Sequence, residues 1–179
     1  DCEGNENMRR YPCSCPYPRY NNPQMNNAGA NPANLSNPAI RLMDYGPEPF
    51  VVNIERATEA NNNFRTALWT GRNLQVTLMS LMPGEDIGLE IHPNVDQFIR
   101  IEEGRGMVQM GSTRNNLDFE KRVSDDYAIM VPAGKWHNLV NTGNRPMKIY
   151  TIYAPPEHPR GTVHRTKEIA QAAERSQGS

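Results

Sequence analysis

Between residues 74 and 154 the sequence keeps restarting. "LQVTLMSLM" stops at Pro83-Gly84, and "IGLEIH", "QFIRIEEG", "GMVQMG", "DYAIMVPAG", "WHNLVNTG" and "MKIYTIYAP" follow, each closed by Gly, Pro or Asn. Stretches this short, rich in residues that suit a pleated surface, read as strands. A chain of many short strands must close or cover its edges, which points to an all-β sandwich or barrel. Upstream, "PFVVNI" reads as one more short strand and "TEANNNF" as a turn or one loose helical turn. At the other end, "TKEIAQAAERSQ" places Thr166 as N-cap before a run of helix formers, so a short C-terminal helix is expected.

The 179 residues suit one domain with tails. Residues 1–40 are crowded with Asn, Pro and Tyr and lack periodicity, which predicts an extended or disordered arm. The expected organisation is an arm over 1–40, a barrel over 41–165, and a helix and tail over 166–179. Lys plus Arg (19) balances Asp plus Glu (20), which argues against nucleic acid or a membrane surface as partner. Apolar runs fall far below the ~18 residues of a membrane span. A soluble, cytoplasmic protein is therefore expected. Asp1 opens the chain without a methionine, which leaves an upstream segment open. Cys2, Cys13 and Cys15 all fall in the arm, and their odd number leaves a free thiol or a bridge to another chain.

Side chains two apart on a strand share a face, so Glu90 and His92 point the same way and can reach one ion if that way is inward. A second histidine, His137, lies in "VPAGKWHNLVN", where Pro132 and Gly134 form a turn that delivers the next strand. Leu139 and Asn141 share its face. His158 and His164 sit in a polar, Pro-rich run and read as surface or packing residues.

These residues resemble the two motifs of the cupin superfamily. The first motif is Gly, five residues, His-x-His, three or four residues, Glu, six residues, Gly; here Gly84, Glu90, His92, Gln97 and Gly104 keep the spacing. The second is Gly, five residues, Pro-x-Gly-x-x-His, three residues, Asn; here Pro132, Gly134, His137 and Asn141 match, with Asp126 in place of the opening glycine. The phrases "FRTALWTG" and "APPEHPRGTVH" are similar to those of small single-domain cupins, some labelled mannose-6-phosphate isomerase-like. The resemblance implies a jelly-roll barrel, commonly a homodimer, with one divalent metal between the motif hairpins. The implied ligands are Glu90, His92, Gln97 and His137. Asp96 competes with Gln97 for its position, but counting by two from Gln97 gives Ile99 and Ile101, a face fit for a barrel interior. This set mixes nitrogen and oxygen donors and suits Mn, Fe, Co, Ni or Zn. It also resembles the Gln, Glu and two His of metal-dependent phosphomannose isomerases, with acid and amide exchanged.

Three functions follow from such a site. A sugar or sugar-phosphate isomerase needs a metal to polarise a carbonyl or hydroxyl and a base to move a proton. The metal has its ligands, whereas Lys135, Tyr127, Tyr150 and Tyr153 read better as barrel or surface residues than as the base. Arg100 and Lys135 are too isolated to make a phosphate cradle. Glu90, His92 and His137 alone are also the ligand set of a non-haem iron dioxygenase, although Gln97 would fill one of its open positions. Without catalysis, the barrel would be a structural or ligand-binding component of a bacterial spore coat or surface, its arm contacting other chains. A small sugar or acid is the expected ligand.

Overall fold

The computed structural model describes residues 40–177. The arm expected over 1–40, with its cysteines, lies outside the described residues but for Ile40. The described chain forms β1 (Arg65–Thr70), β2 (Gln75–Leu81), β3 (Asp96–Glu103), β4 (Arg105–Gly111), β5 (Phe119–Ser124), β6 (Ala128–Val131), β7 (Trp136–Asn141), β8 (Met147–Ala154) and β9 (Val163–His164). Two helices complete it, α1 (Ile54–Ala60) before the strands and α2 (Lys167–Gln177) after them. One sheet has the order β6-β3-β8-β2-β1-β9 and the other β5-β4-β7. The two sheets enclose a shared core that includes Met79, Leu81, Ile99, Ile101, Val108, Leu139 and Ile149, the jelly-roll arrangement expected from the sequence.

Register explains why one end of this barrel carries the chemistry. Gln75, Thr77, Met79 and Leu81 of β2 pair with Tyr153, Thr151, Ile149 and Met147 of β8. Gln97, Ile99 and Ile101 of β3 pair with the same Tyr153, Thr151 and Ile149 from the other side. Residues two apart share a face, so each inward row runs from polar to apolar along its strand. Leu81, Ile101, Met147 and Ile149, none of them exposed, make the apolar end. Gln75, Gln97 and Tyr153, no more than 3% exposed, make the polar end. A buried polar layer costs stability unless each group finds a partner, and its presence here marks the end built for a site.

The outer face of the larger sheet is covered too. Ala57 of α1 packs with Leu68 and Leu78 from β1 and β2, and Leu42, Tyr45, Phe50, Val52 and Ile54 cover them. "PFVVNI" is therefore not the strand its apolar character suggests: it pairs with nothing, and its alternate side chains lie on the sheet as a covering segment. "TEANNNF" is corrected as well, since its first three residues end a seven-residue helix. Asn53 caps that helix by accepting from the Arg56 amide at 3.0 Å. After it, Asn61 ties the turn together, donating to the Asn63 carbonyl at 2.8 Å and accepting from the Thr66 hydroxyl at 2.9 Å. At the far end Thr166 occupies the N-cap of α2, its carbonyl accepting from Ala170 at 3.2 Å. Among the described residues no helix is long and apolar enough to cross a membrane.

Asp44 fastens the covering segment to the barrel. One carboxylate oxygen accepts from the amides of Gly46 and Thr70 at 3.0 and 2.9 Å. The other accepts from the Thr70 hydroxyl at 2.6 Å and the Gly161 amide at 2.8 Å. Partial burial pushes the carboxyl up, but these hydrogen bonds outweigh it and hold Asp44 below the usual carboxylate range. A carboxyl depressed on folding stabilises the protein above its unfolded pKa of about 3.9, and loses that contribution as pH falls through its folded value. The acid limb of a melting-temperature profile should therefore be shallower in Asp44→Asn than in wild type. Identical acid limbs would show that the fastening does not act through the charge.

Candidate metal centre

The first motif does not form the regular strand its spelling suggests. Between Asp86 and His92 only isolated bridges form, Asp86 to Val140 and Glu90 to His137, so "IGLEIH" runs beside β7 without joining a sheet. The second bridge sets the site. The Glu90 amide donates to the His137 carbonyl at 3.1 Å, and the His137 amide donates to the Glu90 carbonyl at 2.9 Å. The Gly134 amide, in the turn that "VPAG" predicts, donates to the His92 carbonyl at 2.9 Å and pins the two motif hairpins together. Gly134 adopts φ 77°, a left-handed conformation open to glycine at little cost.

Backbone pairing of this kind brings Glu90, His92 and His137 into one cluster, with ligand atoms within 4.8 Å of one another. Glu90 Oε1 lies 3.3 Å from His92 Nε2 and 3.4 Å from His137 Nε2. The outer nitrogens are already committed: His137 Nδ1 meets the Lys135 carbonyl at 2.9 Å, and His92 Nδ1 meets Glu157 Oε1 at 3.1 Å. A carbonyl and a carboxylate only accept, so both Nδ1 atoms carry hydrogen, and the neutral form of each ring turns its Nε2 lone pair toward Glu90. With both rings neutral three acceptors face one another, and a cation among them, a metal ion or in its absence a proton on His92 Nε2, relieves that arrangement. His137 Nε2 is buried without a hydrogen-bond partner, as are both amide atoms of Gln97. This chain's donors therefore fit a metal ion, and the outward hydrogen bonds are the second-layer contacts that ligating histidines usually make.

The surrounding charges agree. Burial pushes the Glu90 carboxyl up, yet the imidazoles of His137 and His92 and the charge of Arg65 hold it well below the usual carboxylate range. Burial would push His92 down, but Glu157 and Glu90 outweigh it and raise His92 to about 9. The side chains thus favour positive charge among them.

Gln97 is 3% exposed, on the inward row of β3 beside Tyr153, whose ring meets that of His92 edge-on at 5.7 Å. Asp96 is exposed and accepts from the Ala133 amide at 2.9 Å, holding the second hairpin's turn. Of the residues weighed as bases, Tyr127 is 52% exposed, Tyr150 packs on the outer cluster, and Lys135 Nζ reaches Ser112 Oγ at 2.9 Å. Tyr153 alone lies inside, its hydroxyl unpartnered. Burial pushes Tyr153 up to about 12, so it stays protonated. His158 stacks edge-on against it at 5.0 Å, and burial, then the charge of Arg65, pushes His158 down to about 3. His158 is a packing residue, as expected, but one with an unpartnered Nε2.

Two residues at this end escaped the sequence. Arg65, 1% exposed, looks like one polar residue in an apolar strand, yet its charge acts on Glu90, and its Nη1 reaches Glu174 at 3.1 Å. Glu157 reads as one solvated acid among prolines. The only signal was "APPEHPRG", which places an acid just past the polar end of an inward-facing strand.

A Cupin domain family model matches residues 77–153, from within β2 to within β8. The chain is similar to the YrkC protein of Bacillus subtilis (strain 168), 70% identical over 135 residues, which span 75% of this chain and 73% of that one. It is 41% identical over 115 residues to a protein of Acanthamoeba polyphaga mimivirus, spanning 64% of this chain and 70% of that one. Among solved structures it is similar to BH2720 of Bacillus halodurans, with 68% identity, a TM-score of 0.72, and coverage of 73% of this chain and 98% of that one.

Proposed function

Since the chain belongs to the cupin superfamily, we propose that Glu90, His92, Gln97 and His137 hold one divalent transition metal for isomerase-like chemistry on a small sugar or sugar phosphate. The observation that carries this reading is the convergence of Glu90 Oε1 with the Nε2 atoms of His92 and His137, at 3.3 and 3.4 Å. A divalent ion held there supplies a Lewis acid that polarises a carbonyl or hydroxyl oxygen. The chain's own residues supply the rest. Gln97 offers a neutral oxygen, so Glu90 is the sole charged ligand and the centre keeps net positive charge for an oxygen-bearing substrate. The Tyr153 hydroxyl and His158 Nε2, both unpartnered at this end of the barrel, offer a hydrogen-bond donor and an acceptor to a substrate's oxygen-bearing groups. The packed apolar layer below, from Met79 to Met147, confines a substrate to the polar end.

Such chemistry exchanges a carbon-bound proton with solvent. Metal-loaded protein incubated in D2O with aldose and ketose sugars and their phosphates should place deuterium next to the carbonyl of at least one of them, and His137→Ala should not. Exchange that persists in His137→Ala, or no exchange across the panel with metal bound, would remove the isomerase reading.

A further inference from the structure

Resting on the metal centre proposed above, we propose that Glu157 is its positioning residue, fixing the tautomer and ring plane of His92 from the loop that follows β8. The two histidines are held differently. His137 has the Lys135 carbonyl for its Nδ1 at 2.9 Å, a backbone group on its own chain segment that no side-chain change removes. His92 has only the Glu157 carboxylate, at 3.1 Å and 65 positions further along the chain. The orientation of one ligand thus depends on where a loop comes to rest.

That loop is fixed where it needs to be. Gln75, fully buried in the polar layer, accepts from the His158 amide at 3.0 Å and donates to the His158 carbonyl at 2.9 Å. It clamps both backbone groups of the residue next to Glu157. Three residues on, the Gly161 amide donates to Asp44 at 2.8 Å. The carboxylate reaches His92 while its side chain stays 31% exposed, so its position is set by the backbone rather than by burial. A carboxylate on Nδ1–H holds the Nε2 lone pair toward the metal and makes the ring a stronger donor than a carbonyl would. Residues 155–161 are therefore part of the centre even though none of them need ligate.

The test compares Co²⁺ affinity, read by competition with a chromophoric chelator, in wild type, Glu157→Ala and Glu157→Gln. Glu157→Ala should bind about 10–100-fold more weakly, the usual cost of losing an outer hydrogen bond to a ligating histidine. Its visible Co²⁺ spectrum should keep the same ligand count. Glu157→Gln, whose amide oxygen still accepts from Nδ1–H, should recover most of the loss, which a merely structural role for the loop would not predict. Affinity in Glu157→Ala within twofold of wild type, or a Co²⁺ spectrum showing a ligand lost, would overturn the assignment while leaving the centre in place. Wild-type protein that takes up no Co²⁺ would overturn the centre itself, and the assignment with it.

Discussion

Glu90→Gln should lose metal affinity by more than about 100-fold, beyond what loss of an outer hydrogen bond costs, while the barrel still folds. The substitution keeps the side chain's shape and removes the only charge in the proposed ligand set. It leaves the two imidazoles, with Nε2 atoms aimed inward, and the neutral Gln97. It also leaves Arg65 without the buried carboxylate on which its charge acts, so a lower melting temperature is expected even without metal. Linkage separates the two effects. An ion that binds only the folded state stabilises it by about 2.7 kcal/mol at a hundredfold excess over its dissociation constant. Added Co²⁺ or Mn²⁺ should therefore raise the melting temperature of wild type and leave that of Glu90→Gln unchanged over the same range. Equal metal-dependent shifts in the two proteins would mean that Glu90 is not a ligand.

The second large effect concerns a motif residue with no part in the chemistry. Asn141 closes the second motif, and strand period places it on the face of His137, where the structure finds it 1% exposed. Its side chain turns away from the ligands and into the ends of neighbouring segments. Nδ2 donates to the Leu81 carbonyl at 2.9 Å and the Arg145 carbonyl at 2.8 Å, while Oδ1 accepts from the Gly143 amide at 2.8 Å. The end of β2, the end of β7 and the turn into β8 are thus joined by one amide. Leucine has a similar volume and satisfies none of the three. Leaving a buried polar group unpaired costs about 1–3 kcal/mol, so Asn141→Leu should lose roughly 3–5 kcal/mol of stability in chemical denaturation. That is a large share of the roughly 5–15 kcal/mol typical of a domain. The metal affinity of the folded fraction should stay near wild type. A loss under about 1 kcal/mol would mean that these hydrogen bonds contribute little.

What could be read in advance was whatever repeats with a period or sits at fixed spacing. β3 and β7 alternate in burial, and β8 does so from Ile149 on. Gln97 was separable from Asp96 because a one-residue slip would have turned Ile99 and Ile101 outward. Other parts carry no such pattern. β5, "FEKRVS", buries only Val123 and shows no alternation. β9 is a two-residue strand that exists through its pairing with β1. "PFVVNI" has the composition of a strand but pairs with none, and its apolar side chains cover the sheet instead. Glu157 could not be found by spacing at all: the hydrogen bonds of the Gln75 side-chain amide to the His158 backbone bring it to His92, and those exist only once the barrel has closed.

The most direct test is to see the ion. Crystals of protein prepared without chelator and supplied with Mn²⁺ or Zn²⁺ should give one anomalous-scattering peak per chain. It should lie about 2.0–2.2 Å from a Glu90 carboxylate oxygen and from the Nε2 atoms of His92 and His137, with the Gln97 amide oxygen on its remaining side. A barrel with no peak there, or one in which both Nε2 atoms face only Glu90 and water after metal is supplied, would contradict the metal centre and the function built on it.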